Sequence, residues 1–263
     1  MNHLTIASTE ADARAAEAVE EHHARLAGAL AMKAEALVAV ARGGRSNDLA
    51  ATRDDLVRWA RTELVPHARA EEDTLYRVAA ERPEGRLLVE AMLAEHEVIV
   101  GLVDDLSRAV EAVSAASTAA ALRVLFETHL AKENDQVLPL LVADPDVSVA
   151  DLLGGMHELL GGPEAPADEA GCGAGGHACA CGADDGSAYP ELDARSIPHA
   201  IRHATVLGAL DTVRVGQGLV LLAPHDPLPL LAQIDRREPG AFAVDYLQRG
   251  PETWRLRLVR TGS

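Results

Sequence analysis

The chain has 263 residues, of which 48% are hydrophobic, and a formal net charge of −17 at pH 7. It is long enough for one or two globular domains, and its composition is that of a folded protein. The negative charge lies almost wholly before residue 190, because residues 190–263 contain nine Arg and eight Asp or Glu. This excess disfavours nucleic acid and anionic membranes as partners.

The sequence also argues against membrane insertion and export. No apolar run reaches the length of about 18 residues that a membrane-spanning helix needs. The start of the chain, MNHLTIASTEADARAAEAVEEHH, has neither a basic beginning nor an apolar core. We therefore expect no signal peptide and a cytoplasmic protein.

Four long amphipathic helices are predicted in the first part of the chain. Their apolar residues recur at helical spacing over residues 10–42, 47–79, 84–115 and 117–142. Pro66 lies inside the second helix and is expected to kink or split it. Long helices with short loops favour an antiparallel up-down-up-down bundle, and a short fifth helix is predicted near its end.

Each predicted helix places one histidine on its apolar stripe, and two of these histidines are followed one turn later by a glutamate. The six residues are His23, His67, Glu71, His96, His129 and Glu133. At about 1.5 Å per residue from the helix ends, all four imidazoles lie at one level of the bundle. Residues at i and i+4 share a helix face, so both carboxylates are expected beside them.

Buried polar side chains of this kind are costly unless they are paired or bind a metal. No arginine or lysine lies on the predicted stripes to neutralise the carboxylates. The simplest compensation for their charge is a divalent metal, and we expect two such ions rather than one. Imidazole and carboxylate together suit iron, with manganese or zinc as alternatives. A polar network without metal is the competing interpretation.

Composition changes at residues 161–189, where Gly, Ala and acidic residues replace the apolar periodicity. This change predicts a flexible linker between a bundle at 1–160 and a second domain at 190–263. The linker contains Cys172, His177, Cys179 and Cys181. These residues are candidates for a zinc, copper or iron–sulfur site, with a redox-sensitive thiol pair or an idle linker as the alternative.

The second domain is predicted to be a small two-layer α/β unit with the order β-α-β-α-β-β. GLVLLAP is a continuous apolar strand and is therefore expected in the centre of the sheet. His225 follows this strand just before a helix, where ligands often bind, and is a candidate ligand or metal residue. Asp226 is the predicted N-cap of that helix.

The helix motifs resemble those of the hemerythrin-like (HHE cation-binding) family over about residues 8–145. VEEHHARL is similar to the first-helix motif and selects His23 over His22, and HARAEEDTLY matches the H-x-x-x-E motif. AEHE and HLAKENDQVLPLL resemble the motifs of the third and fourth helices. The resemblance implies two non-haem irons per chain, with Glu71 and Glu133 as bridging ligands.

Two positions depart from the oxygen-carrying hemerythrins. Val100 stands where those proteins have a second histidine on the third helix, and Asn134 stands where they have an aspartate. The resemblance thus implies fewer terminal ligands, with water, His22 or an off-stripe carboxylate such as Glu72 or Glu97 completing the site. It makes redox reaction with, or sensing of, oxygen, peroxide or nitric oxide at least as plausible as oxygen carriage.

The C-terminal segments LDAR, APHDPLPL and GPETWRLRL resemble a small family of unknown function that often follows hemerythrin-like domains. The order of its elements is similar to that of the TusA/SirA-like sulfur carriers. Those carriers have a Cys-Pro pair at the start of the first helix, whereas this chain has Ile197 before Pro198. Sulfur carriage at that position is therefore not expected.

Three functions remain open at this stage. The first is a di-iron protein that binds, senses or reacts with a small diatomic or peroxide. The second is a reductase or iron-donating enzyme of the nitrosative or oxidative stress response, which needs an electron-donor protein. The third is an interaction adaptor whose metal is structural.

Overall fold

The computed structural model describes residues 7–43, 46–154 and 189–262. The first two ranges are helical. The helices are α1 (Glu10–Gly43), α2 (Ser46–Trp59), α3 (Val65–Asp73), α4 (Leu75–Ala80), α5 (Arg86–Arg108), α6 (Ala112–Lys132), α7 (Leu138–Val142) and α8 (Val149–Leu153). Together α1, α2–α4, α5 and α6–α7 form the predicted antiparallel four-helix bundle. None of the described helices is long and apolar enough to cross a membrane.

The bundle core follows the predicted apolar stripes. On α1 the buried leucines are Leu26, Leu30 and Leu37, spaced so that they share one face. They pack in one cluster with Leu122 and Phe126 of α6. Burial of these side chains is the main term that holds the helices together.

The predicted interruption at Pro66 takes the form of a π-helical turn at Ala60–Leu64. A second π-helical turn, Glu133–Val137, lies two residues before Pro139. In each case the residue before the proline donates its N–H five residues back, Val65 to Ala60 and Leu138 to Glu133. A proline ring removes one donor and clashes with the preceding turn, and the wider turn accommodates both effects.

The predicted boundary between the third and fourth helices was wrong. The helix expected to continue to residue 115 ends at Arg108, and α6 begins at Ala112. Ala109 and Glu111 adopt extended backbone angles and form the turn. The alanine-rich sequence around them has high helix propensity and contains no Gly or Pro, so nothing in the pattern marks this turn.

Residues 189–262 form the predicted α/β domain. Its elements are β1 (Glu191–Asp193), α9 (Arg202–Asp211), β2 (Gly218–Ala223), α10 (Leu228–Arg237), β3 (Phe242–Gln248) and β4 (Trp254–Arg260). The sheet order is β1-β2-β4-β3, with β1 parallel to β2 and the other pairs antiparallel. As predicted, β2 is an interior strand, and its Leu219 and Leu221 are fully buried.

The two domains are in contact through α1 and α9. Ala31 of α1 belongs to the apolar cluster of the second domain, next to Val206 and Leu207. Arg123 of α6, which is buried, donates to Glu35 and Glu127 of the bundle and, at 3.4 Å, to the hydroxyl of Ser196. The second domain therefore contacts both α1 and α6 of the bundle.

The replacement Leu122→Ala should lower the free energy of unfolding of the bundle by about 2–5 kcal/mol, because it leaves a cavity in a fully buried position. Val124→Ala, on the same helix but exposed, should change it by less than about 0.5 kcal/mol. Urea unfolding followed by circular dichroism measures both. Equal effects would contradict the assignment of the buried face of α6.

Candidate metal centre

The six polar stripe residues meet in the interior of the bundle. His23 comes from α1, His67 and Glu71 from α3, His96 from α5 and His129 from α6; Glu133 begins the second π-helical turn. Each of the six is at most 4% exposed. The predicted convergence of four imidazoles and two carboxylates is therefore present in the structure.

One half of the cluster gathers around a single oxygen of Glu71. The Nε2 atoms of His23 and His67 lie 3.1 Å and 2.9 Å from Glu71 Oε1. His23 Nε2 is also 3.8 Å from Glu133 Oε2. Ligand atoms of these four residues all lie within 4.8 Å of one another, which is close enough for one metal ion to bind them together.

The other half uses the second oxygen of the same carboxylate. His96 Nε2 lies 3.8 Å from Glu71 Oε2 and 3.0 Å from His129 Nε2. Glu71, His96 and His129 form the second group whose ligand atoms lie within 4.8 Å of one another. Glu71 thus belongs to both groups, and Glu133 Oε2, 3.6 Å from His129 Nε2, also lies between them.

Oxygen acceptors hold the outer nitrogens of three imidazoles. His23 Nδ1 lies 2.7 Å from Asn134 Oδ1, and His96 Nδ1 lies 2.7 Å from Glu72 Oε1. His129 Nδ1 lies 3.0 Å from Glu95 Oε2. Because an amide or carboxylate oxygen accepts, we assign a proton to Nδ1 in each ring, which leaves the Nε2 lone pair of a neutral ring facing the cluster. Burial opposes a second proton on His23, but its hydrogen bond to Glu71 and the charge of Glu133 outweigh burial and raise the pKa of His23 to about 9.

Where the rings are neutral, the Nε2 and carboxylate oxygen atoms that face one another inside the cluster are all hydrogen-bond acceptors. The Nε2 atoms of His96 and His129 face each other at 3.0 Å with no donor between them when both rings are neutral. Nδ1 of His67 and Oε2 of Glu133 are buried without a hydrogen-bond partner among the described residues, and His67 Nε2 faces only the shared oxygen of Glu71. Buried acceptors are costly unless they are satisfied, and a cation satisfies all of them at once. The donor set therefore fits metal ions.

Proton affinities within the cluster reflect the same crowding. Burial works against ionisation of Glu71, but the charges and hydrogen bonds of His67 and His23 outweigh it and hold its pKa well below the usual range. Burial, and next the charge of Glu71, raise the pKa of Glu133 well above its usual range. Burial lowers the pKa of His129, so a proton is disfavoured where the two imidazoles meet.

Four neighbours complete the surroundings of the cluster, and the sequence pattern identified them incompletely. Tyr76 donates its hydroxyl to Glu133 and lies 3.2 Å from His129 Nε2. Glu95 accepts from Lys132 as well as from His129. Tyr76 and Glu95 were not predicted, although each lies on a helix within five residues of a stripe ligand. Asn134 was noted only as a departure, and Glu72 only as an extra ligand, whereas both accept from histidine Nδ1 atoms.

His22 is the other polar side chain near the cluster. Its ring centroid lies 4.9 Å from that of His67, and its Nε2 is buried without a hydrogen-bond partner among the described residues. Burial, followed by the charge of His67, lowers the pKa of His22 to about 3. A neutral imidazole of this kind is a suitable metal ligand, so His22 keeps the place that the sequence gave it as an additional candidate.

Two positions of α5 that the sequence singled out lie outside the cluster. Val100 is 37% exposed, and Glu97, which was a candidate extra ligand, is also exposed. Arg123 is buried, but it lies off the predicted stripes and pairs with Glu35 and Glu127. Its position on α6 lies one turn from Glu127.

The remaining sequence candidates are the secondary metal residues and the cap at Asp226. Cys172, His177, Cys179 and Cys181 lie outside the described residues. His225 is exposed and belongs to no potential metal-binding group in the described ranges. The predicted cap at Asp226 was wrong, because α10 begins after Pro227 without a side-chain cap, and Asp226 instead accepts from the Tyr246 hydroxyl at 2.8 Å.

The fold and the cluster define a class of protein: an antiparallel four-helix bundle with a buried histidine–carboxylate site that fits metal ions. Residues 14–141 match the family described as the hemerythrin HHE cation binding domain. Residues 191–260 match the family described as uncharacterized conserved protein (DUF2249). Comparison with curated proteins and with solved structures found no significant match. The resemblance that the motifs indicated is thus confirmed for each part of the chain: a hemerythrin HHE domain over residues 14–141 and a DUF2249 domain over residues 191–260.

Replacing Tyr76 by Phe removes the hydroxyl donor of a buried carboxylate. Tyr76→Phe should lower the free energy of unfolding of the metal-free protein by about 1–3 kcal/mol, because Glu133 loses that partner inside the bundle. Tyr246→Phe is the matched control, since its hydroxyl binds the half-exposed Asp226. Its effect, measured by the same urea titration, should be smaller. A Tyr76→Phe protein as stable as the parent would show that the hydroxyl does not stabilise Glu133.

Proposed function

We propose that the cluster binds two iron ions and that the iron-loaded protein binds, senses or reacts with oxygen, nitric oxide or hydrogen peroxide. The observation that carries the proposal is the convergence of buried acceptors on Glu71 and Glu133. Two groups of ligand atoms that share one carboxylate support two ions rather than one. Imidazole and carboxylate donors without thiolate suit iron, which the HHE resemblance also favours.

The residues divide into ligands and groups that orient them. His23 and His67 would hold one ion, His96 and His129 the other, and Glu71 would bridge the two, with Glu133 as a second bridging candidate. Asn134, Glu72 and Glu95 fix the ring orientation of three histidines, because each accepts from Nδ1. Such outer contacts fix the tautomer that offers Nε2 to a metal.

Bound iron would supply the electrons and the coordination position that a small oxidant needs. The surroundings supplied by the chain favour such a reaction in two ways. The cluster is almost completely buried, which excludes bulk water and large substrates. The hydroxyl of Tyr76 donates to Glu133 and so holds a proton beside that carboxylate.

The alternative functions differ in what else they require. A reductase takes its electrons repeatedly from a donor protein, whereas a sensor or carrier reacts once per ligand bound. An adaptor with a structural metal needs neither. The contact between the HHE bundle and the DUF2249 domain is compatible with an output through the second domain.

Protein purified from iron-replete cells should contain about two iron ions per chain, because the two ligand groups share one carboxylate. His67→Ala should lose most of this iron, since it removes a residue of the first ligand group whose Nε2 lies 2.9 Å from the shared carboxylate of Glu71. Mass spectrometry of the metal content measures both. His225→Ala, an exposed histidine of the second domain, should keep the parental content. A parent without iron, or a His67→Ala protein with the parental content, would contradict the site.

The reduced, iron-loaded protein should change its visible absorption within seconds of mixing with oxygen or nitric oxide, because the buried site admits only small ligands. Stopped-flow spectroscopy under anaerobic control measures the change, and hydrogen peroxide serves as the third oxidant. Consumption of many equivalents of oxidant per chain in the presence of a reductant would identify an enzyme. Consumption of a single equivalent would identify a sensor or carrier. A loaded protein that is silent toward all three would leave the metal a structural role.

A further inference from the structure

The contact between α1 and α9 is unusually close and depends on two glycines. A Cβ atom built on Gly28 would overlap the backbone of Gly208 and Ala209, and would lie 2.8 Å from Gly208 Cα. A Cβ atom built on Gly208 would overlap the carbonyl group of Ala24. Each glycine therefore permits the backbone of the partner helix to lie where any other side chain would be.

This contact covers the His23 side of the cluster. A cavity of about 10 Å³ lies between the domains and is lined by His23, Asn134 and Glu20 from the bundle. Ile201, Ala204 and Thr205 of the second domain form its opposite wall. The space is close to the minimum that one water-sized molecule requires.

Thr205 contributes a polar side chain to the lining of the cavity on the side of the second domain. Its side chain is fully buried, and its Oγ1 has no hydrogen-bond partner among the described residues. A buried hydroxyl without a partner is costly unless a small polar molecule can reach it. The bundle side of the lining includes Asn134 and Glu20, so residues with polar side chains are present on both sides of the cavity.

We propose that the DUF2249 domain is the cover of the histidine–carboxylate cluster, and that the cavity between His23 and Thr205 is the entrance through which water-sized molecules reach it. In the docked arrangement His23 is buried, and the wall that closes its outer side belongs to the second domain. Separation of α9 from α1 opens this wall while leaving the bundle core in place. The proposal builds on the proposed metal site, but the docking and the access are properties of the chain itself.

The test uses the full chain without metal, so that its failure is distinguishable from failure of the metal proposal. Gly28→Leu and Gly208→Leu each add a side chain where the partner backbone lies. Gly101→Leu is the matched control, because it also lies inside a helix and a Cβ there meets nothing within 4 Å. Two variants on opposite sides of the contact guard against a local folding defect in either domain. Circular dichroism confirms retained helices, and small-angle scattering reports the separation of the domains.

Access is read from acylation of histidines by diethyl pyrocarbonate, located by mass spectrometry. Both contact variants should be more extended than the parent and should acylate His23 about tenfold faster, because the open state becomes the populated one. His96 and His129, on the other half of the cluster, should change much less. The Gly101→Leu protein should match the parent. Variants that remain compact would overturn docking through the glycines, and extended variants with unchanged His23 acylation would overturn the role of the second domain as a cover.

Discussion

Buried acceptors that face one another are the constraint on which the bundle depends. Two carboxylates and four imidazoles lie where an ordinary helical bundle places leucine, and three imidazoles direct Nε2 inward because an oxygen holds Nδ1. Desolvation of such groups costs several kcal/mol each unless positive charge compensates it. Until a cation is bound, burial of the apolar layers around Leu30 and Met92 must therefore offset the free-energy cost of desolvating the cluster.

The side chains of the cluster and the groups that orient them form successive layers from the centre of the bundle to its surface. Glu71 and Glu133 lie at the centre, the imidazoles surround them, and Glu72 and Glu95 contact the imidazoles from outside. Glu95 in turn pairs with Lys132, so the outermost contact is a partly exposed ion pair. Negative charge thus faces the outer N–H of His96 and His129, which favours these two rings as metal ligands.

Much of the bundle and the six central residues were predictable because both follow helical periodicity. A histidine or glutamate that replaces leucine on a stripe of spacing three and four remains on the buried side whatever the helix ends are. The turn at Ala109 was not predictable, since the local alanine-rich sequence favours helix and the turn results from tertiary packing. Tyr76 and Glu95 were missed because they reach the cluster from the edges of the stripe.

The second domain shows a similar division. The order of its elements followed from alternating and continuous apolar patterns, but its position on the bundle did not. Gly28 and Gly208 each lie inside a helix, where glycine by itself indicates only weak helix propensity, and the meaning of the pair exists only when both helices are in place. Asp226 was assigned to a cap from local sequence, whereas its actual partner, Tyr246, lies on a different strand.

The distance in sequence between the two helices of the interdomain contact has a consequence for biosynthesis. α1 ends at Gly43, whereas α9 begins at Arg202, so Glu133, the last residue of the cluster in sequence, is synthesised well before α9. Domains generally fold as units during synthesis, with the N-terminal domain first. A bundle that folds first would bring its six cluster residues together before α9 is available to pack against α1. If the proposed metal site and cover hold, an ion would then reach the nascent chain without any later opening of the finished protein.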